Sequence, residues 1–173
     1  TGLSPSDSHI TIVGILDSEG YSAYITGKNL DDLPKCLDSY DMIVTFNGTS
    51  FDLPYLIGHF GSIFKHKAHL DLRYPLKRLG YNGGLKVIEQ VTNLGRPSEF
   101  STLNGYDAVL MWRMWLDGDE GALNTLVRYN AEDVASLPAL AELVYNQLRA
   151  SLPLPPRILG SWPRLIDELP YEP

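Results

Sequence analysis

The sequence predicts an α/β (α+β) protein, in which a sheet packs against helices. Short stretches rich in β-branched residues alternate with stretches that have the apolar spacing of helices, and the chain opens with two strand-like stretches joined by a turn. The 173 residues, 44% of them hydrophobic, suit one domain with a sizeable core. Residues 1–150 are predicted to form that domain. Residues 151–173 contain six prolines and are predicted to be an extended tail or linker.

The opening elements are predicted to be a β-hairpin and a helix. Residues 9–16 and 21–26 have strand composition, and the turn-forming residues 17–20 join them. Residues 30–40 have helical apolar spacing, in which Pro34 is compatible only with a position near the helix start.

A strand, a polar loop and a helix follow in that order. Residues 41–46 are a nearly continuous apolar run after a polar entry, which is typical of a strand buried on both faces. Residues 47–50 form the loop, whose last residue, Ser50, is placed to cap a helix over residues 51–60. In proteins with this order of elements, the residues that bind ligands lie at the carboxyl ends of the strands.

The second half of the chain is predicted to be mainly helical. Residues 69–72 are a short extended piece, and Pro138 is expected to kink the last helix before it continues to about residue 148. The predicted helices cover residues 74–79, 85–91, 106–116 and 123–137.

The helix over residues 123–137 carries the strongest functional signal. At 100° per residue its apolar residues share one side, and Tyr129 and Asp133, one turn apart, lie together at the border of that side. Glu132 points away and is predicted to be solvated. Taken alone, Tyr-x-x-x-Asp is a weak pattern, and a hydrogen bond that only supports the fold is its more common explanation.

The loop after the buried strand holds a second group of candidates. Asp52 opens a helix, whose amino end favours negative charge. Asn47 and Phe51 bracket the loop, and their side chains suit an extended ligand, Asn47 by hydrogen bonding and Phe51 by stacking.

Charge and cysteine content restrict the classes of function. A net charge of −7 argues against a binder driven by basic charge, but not against an enzyme that reaches phosphates through divalent metal ions held by carboxylates. The single cysteine, Cys36, excludes an internal disulfide framework and a cysteine-based zinc site, and it fits a reducing, cytoplasmic setting. No apolar run approaches the length of a membrane span, so no membrane association is expected.

Two motifs resemble those of known nucleases. Residues 47–56 read Asn-x-x-x-Phe-Asp-x-Pro-Tyr-Leu, which resembles the second exonuclease motif of the DEDD (DnaQ-like) 3′–5′ exonucleases. Tyr129-x-x-x-Asp133 is similar to the third motif of their tyrosine subtype, and the separation of about eighty residues also suits that family. Gly84-Leu85-Lys86, residues 105–112 and Tyr129-Asn130 resemble more narrowly the YprB-type RNase H-like domains.

The resemblance implies an RNase H-like mixed sheet flanked by helices and a site for two Mg²⁺ or Mn²⁺ ions held by four carboxylates. It implies hydrolysis of phosphodiester bonds in single-stranded DNA or RNA. Asp52 and Asp133 would be metal ligands, Tyr129 would orient the attacking water, and Asn47 and Phe51 would contact the terminal nucleotide. The implied catalytic residues are therefore Asp52, Tyr129 and Asp133.

The first motif of that family, Asp-x-Glu at the end of the first strand, has no match in this chain. It is commonly followed by Thr, Gly, Leu and Pro, and this chain begins with Thr1-Gly2-Leu3-Ser4-Pro5. Asp7 lies in the wrong place, and Asp17-Ser18-Glu19 lies in the hairpin turn. We therefore expect residues 1–173 to lack two ligands and a central strand and to be inactive. Unpaired strand edges would favour a strand-swapped or self-associated oligomer.

Two other functions are compatible with the sequence. One is a non-catalytic module that binds nucleic acid or protein on the same RNase H-like fold. The other is a structural α/β domain unrelated to nucleases, in which Asp52 and Asp133 would lie far apart. For Asp71, which follows a histidine in a short strand, a supporting role behind the metal ligands and a capping role are equally compatible.

Overall fold

The computed structural model describes residues 10–94, 103 and 105–152. Its strands are β1 (Ile12–Leu16), β2 (Tyr21–Ile25), β3 (Met42–Thr45) and β4 (Ala68–Asp71). A short 3-10 helix (Leu30–Asp32) precedes the first α-helix. The α-helices are α1 (Leu33–Leu37), α2 (Asp52–Phe60), α3 (Arg73–Arg78), α4 (Leu85–Val91), α5 (Gly105–Leu116), α6 (Glu120–Ala135) and α7 (Leu137–Ala150).

Strands β1 and β2 form the predicted hairpin. They pair antiparallel, with Ile12 opposite Ile25 and Leu16 opposite Tyr21. The Asp17 carboxylate stabilises the turn, because its Oδ1 accepts hydrogen bonds from the backbone N–H groups of Glu19 (2.8 Å) and Gly20 (3.2 Å). Aspartate at this position is a common turn residue for that reason.

Strands β3 and β4 pair in parallel, with Thr45 opposite Asp71, and the connection between them contains α2. Within the described residues the two pairs form separate two-stranded sheets. The α/β fold class is confirmed, but the prediction that β3 is buried on both faces is wrong. Met42 is 52% exposed and the rest of β3 is half-buried, because β4 is its one strand partner in the described part of the chain.

Helices cover both faces of the strands, so the core has three parts. Successive strand residues point to opposite faces: Ile12 packs against α5 and α6, whereas Val13 packs against α1 and α2. Residues of β3 divide in the same way. Ile43 joins the cluster around Leu33 and Leu56, and Val44 joins the third cluster, which contains Leu76 of α3, Ile88 of α4 and residues of α7.

Two predictions about helix ends, the kink at Pro138 and the cap by Ser50, are wrong. Helix α6 ends at Ala135 and α7 begins at Leu137, so Pro138 lies in the first turn of a new helix instead of kinking a continuous one. Proline lacks the N–H group that a helix interior requires but is tolerated in a first turn. The predicted cap by Ser50 is also wrong, because Phe51 is the residue that precedes α2 and no side chain caps that end.

The described residues include no helix that is long and apolar enough to span a membrane. The predicted entry segment at residues 1–5 and the proline-rich tail from residue 153 onward lie outside the described residues.

Candidate functional site

Helix α6 packs so closely on β1 that the strand has room only for glycine at one position. A Cβ atom on Gly14 would lie 2.1 Å from Oδ1 of Asn130 and 2.8 Å from Cε2 of Tyr21. The Tyr21 hydroxyl donates a hydrogen bond to the same Oδ1 atom at 2.8 Å. The hairpin therefore fixes the segment of α6 around Asn130, which carries the candidate residues Tyr129 and Asp133.

Tyr129 and Asp133 lie at the edge of a buried surface, as predicted. Tyr129 is 9% exposed and Asp133 is half-buried. Burial raises the pKa of Tyr21 above its ordinary value, and the negative charge of Asp133 raises it further. The Asp133 carboxylate is therefore close enough to favour the neutral form of the Tyr21 hydroxyl, which is the group that orients Asn130. The prediction that Glu132 is solvated is wrong, because Glu132 is buried. Neighbouring elements therefore cover more of the surface of α6 than the apolar spacing of the helix indicates.

A lysine accompanies the tyrosine, and sequence reasoning gave it no role. The Nζ atom of Lys86, near the start of α4, is buried and lies 5.1 Å from the centroid of the Tyr129 ring. An ammonium group over an aromatic face is an attractive cation–π arrangement. Lys86 belongs to the Gly84-Leu85-Lys86 motif, which is the signal for it in the sequence.

The loop after β3 is held in place by Asp71 at the end of β4. Oδ1 of Asp71 accepts hydrogen bonds from the backbone N–H groups of Asn47 (2.7 Å) and Arg73 (3.2 Å), and Oδ2 accepts one from Thr49 (3.0 Å). Asn47 has a positive φ of 63°, which asparagine tolerates better than most residues. Of the two roles left open for Asp71, the structure shows capping.

The same hydrogen bonds set the acidity of Asp71. Burial raises the pKa of its carboxyl, but the hydrogen bonds from Thr49, Asn47 and Arg73 outweigh burial and leave the pKa below its ordinary value. A carboxyl whose pKa is lowered in the folded state stabilises the fold above its unfolded pKa of about 3.9, and that stabilisation is lost as the pH falls through the lower folded value.

Asp71→Asn is therefore expected to lower the free energy of unfolding at pH 7 by about 1.5–3 kcal/mol, the size of hydrogen bonds to a charged group. The difference in the free energy of unfolding between wild type and Asp71→Asn should become smaller as the pH falls below about 4. Urea denaturation at several pH values measures it. Asp38→Asn, at an exposed position, is the control and should change stability by less than about 0.5 kcal/mol. Equal stability of Asp71→Asn and wild type at pH 7 would contradict the capping role.

Asp52 is the first residue of α2, as predicted, and it is half-buried. Burial raises the pKa of its carboxyl, and the neighbouring charge of Asp71 raises it further. An ionised carboxylate in such a place is costly unless a positive charge lies beside it. Phe51, next to it, is half-buried and makes an edge-to-face contact with Tyr55, with ring centroids 5.4 Å apart.

The candidate residues thus lie in two groups. Asn47 and Phe51 lie on the loop that Asp71 holds and Asp52 lies at the start of α2 directly after it, whereas Tyr129 and Asp133 lie on α6. Among the described residues, no three acidic, histidine or cysteine side chains are gathered so that they could hold a metal ion. Carboxylate oxygens are the ligands that Mg²⁺ and Mn²⁺ prefer, so the side chains of Asp52 and Asp133 are of a chemical type that suits such an ion.

Comparison with known proteins agrees with this architecture. The RNase_H_2 family model, described as RNase_H superfamily, matches residues 1–145, which include both groups of candidate residues. Comparison with curated proteins and with solved structures gave no match. The match confirms the RNase H-like part of the resemblance, and the fold is one that nucleases of this superfamily use, generally with divalent metal ions. Because the match covers most of the sequence, the chain belongs to the RNase H superfamily.

Proposed function

We propose that this chain is the RNase H-like domain of a metal-dependent 3′–5′ exonuclease of the DEDD tyrosine subtype, of the YprB type, acting on single-stranded DNA or RNA. The observation that carries the proposal is the placement of Tyr129 and Asp133 one turn apart at the edge of a buried surface, in a member of the RNase H superfamily. The close contact between Gly14 and Asn130 supports it, because that contact holds this part of α6 against the hairpin.

In this proposal Asp52 and Asp133 hold divalent ions, Mg²⁺ or Mn²⁺. Such ions, when bound, act as Lewis acids that make water nucleophilic and neutralise charge on the phosphate. The raised pKa of Asp52 supports its role, because a cation would stabilise the ionised form that burial disfavours.

The remaining residues bind and orient. The Tyr129 hydroxyl positions the attacking water, and Lys86 lies over the ring of that tyrosine. Asn47 and Phe51 contact the terminal nucleotide, Asn47 by hydrogen bonding and Phe51 by stacking. Arg73 donates a hydrogen bond from Nη1 to Oδ1 of Asn47 and so orients that amide.

Residues 1–173 by themselves are expected to cleave very little, because they supply two of the four carboxylates that the family uses. We expect 3′–5′ degradation when a strand carrying Asp-x-Glu precedes Thr1. The assay titrates Mg²⁺ and Mn²⁺ against single strands of DNA and RNA that are labelled at the 3′ or the 5′ end. Progressive shortening of 5′-labelled strands, with release of the 3′ label as a mononucleotide, would establish the polarity.

Two outcomes of that assay would change the proposal. Efficient degradation by residues 1–173 alone would show that the first motif has been misplaced. Binding without cleavage, even with Asp-x-Glu present, would favour the non-catalytic binding module.

We also expect residues 1–173 to self-associate. In the described residues β1 and β3 each have one strand partner, and a free strand edge is a template for pairing with another copy.

A further inference from the structure

A cavity of about 400 Å³ opens beside the loop that carries Asn47. It lies at the carboxyl ends of the parallel strands, because Phe46 and Asn47 follow β3 and Arg73 follows β4. Ligands of α/β proteins bind at this edge of a sheet. The volume is in the lower part of the range for small-ligand sites and suits one nucleotide-sized group.

The charge of this cavity is opposite to that of the protein. Among the described residues its lining contains two cationic side chains and no acidic one, whereas the chain as a whole carries a net charge of −7. The cations are Arg73 and Lys77, which lie one turn apart on α3 and therefore present their charges on the same side of the helix. A concave surface with positive charge attracts anions more strongly than isolated surface lysines do.

The other walls suit a sugar–phosphate group. Asn47 and Asn82 bring amides, Tyr81 brings an aromatic ring, and the turn through Gly83 brings backbone without a side chain. Gly83 has a positive φ of 115°, and a Cβ atom there would lie 3.1 Å from side-chain atoms of Val87, so the turn takes this path only with glycine.

The cavity shares Asn47 with the proposed contacts to the terminal nucleotide. Asn47 lines it and accepts the hydrogen bond from Arg73, and Asp52 follows on the same segment, at the start of α2. A strand whose terminal nucleotide contacts Asn47 and Phe51 would therefore have its next nucleotides beside Arg73 and Lys77.

We infer that this cavity binds an internucleotide phosphate, with its sugar, of a single strand whose 3′ end lies at Asp52. The inference rests on the proposed function for the direction of the strand. It adds a binding site for the sugar–phosphate backbone, in which Arg73 and Lys77 contact phosphate oxygens and no base is read. DNA and RNA should therefore bind with similar affinity.

The test measures binding of residues 1–173 to fluorescein-labelled 12-nucleotide oligothymidylate and oligouridylate by anisotropy, in EDTA, at several NaCl concentrations. The variants are Arg73→Gln and Lys77→Gln. Arg78→Gln is the matched control, because Arg78 is exposed on the same helix and does not line the cavity. Thermal melting establishes that each variant is folded.

Each cavity variant should lower the slope of log K against log salt by about 0.7, which corresponds to about fivefold weaker binding at 0.1 M salt, for both oligonucleotides. Arg78→Gln should leave both quantities nearly unchanged. Lys77→Gln is the more informative variant, because Arg73→Gln also removes the hydrogen bond to Asn47.

Three results would overturn the inference: no binding by the wild type, equal effects of Lys77→Gln and Arg78→Gln, or unchanged binding in both cavity variants. Because the assay is done in EDTA, it is independent of cleavage. Loss of binding in the cavity variants, together with absence of nuclease activity in a protein in which an Asp-x-Glu strand precedes Thr1, would leave this site established and the proposed exonuclease function wrong.

Discussion

Asp133→Asn is expected to lower metal-dependent cleavage by more than about 100-fold in a protein in which an Asp-x-Glu strand precedes Thr1. Loss of a residue that hydrogen-bonds to a metal ligand typically lowers activity or metal affinity by about 10–100-fold, and loss of a direct anionic ligand should lower them more. Asparagine has almost the same volume as aspartate, and Asp133 is only half-buried, so the fold should be preserved. Single-turnover cleavage of an end-labelled strand measures the rate, and thermal melting measures the stability.

Two further variants make this result specific. Tyr129→Phe keeps the buried ring but loses the hydroxyl that orients water, and it should reduce the rate less severely, by about 10–100-fold, as for other supporting partners of a metal site. Asp117→Asn makes the same chemical change at an exposed position after α5 and should leave the rate unchanged. If Asp133→Asn cleaves as fast as wild type, the similarity of Tyr129-x-x-x-Asp133 to the third exonuclease motif is accidental.

Gly14→Ala is expected to destabilise the protein by about 1–3 kcal/mol or more, the cost of forcing an extra methyl group into a well-packed interface. The new Cβ atom would lie 2.1 Å from Asn130 Oδ1, so β1 and α6 must separate. Because α6 also carries Tyr129 and Asp133, the same change should lower any cleavage activity. Urea denaturation measures the free energy of unfolding.

A double-mutant cycle identifies the contact responsible. Asn130→Ala removes the clashing oxygen, so Gly14→Ala should cost less in that background than in wild type, by an interaction energy of about 0.5–3 kcal/mol. Some cost should remain, because Cε2 of Tyr21 would also lie 2.8 Å from the new methyl carbon. Gly58→Ala is the control. It lies inside α2 with nothing within 4 Å, so it should stabilise the protein by about 0.5–1 kcal/mol. Additive effects of Gly14→Ala and Asn130→Ala would show that the two residues do not restrict each other.

The sequence by itself determined the features that depend on neighbouring residues. The hairpin turn at Asp17, helix α4 over Leu85–Val91 and the position of Asp52 at a helix start all follow from local turn chemistry, apolar spacing and the order of elements. The RNase H superfamily was also recognisable, because its motifs are short stretches of contiguous sequence in a set order.

The tertiary structure decided the contacts between residues that are distant in the chain. Three such contacts leave no periodic pattern in the sequence. They are the ammonium of Lys86 over the ring of Tyr129, the hydrogen bonds from a loop to Asp71, which lies 22 to 24 residues later, and the close packing of Asn130 against Gly14. Burial of Glu132 depends on how many neighbours enclose α6, and the exposure of Met42 depends on how many strands pair with β3. Apolar spacing reports which side of an element faces a core, but the number of elements around it is a property of the assembled fold.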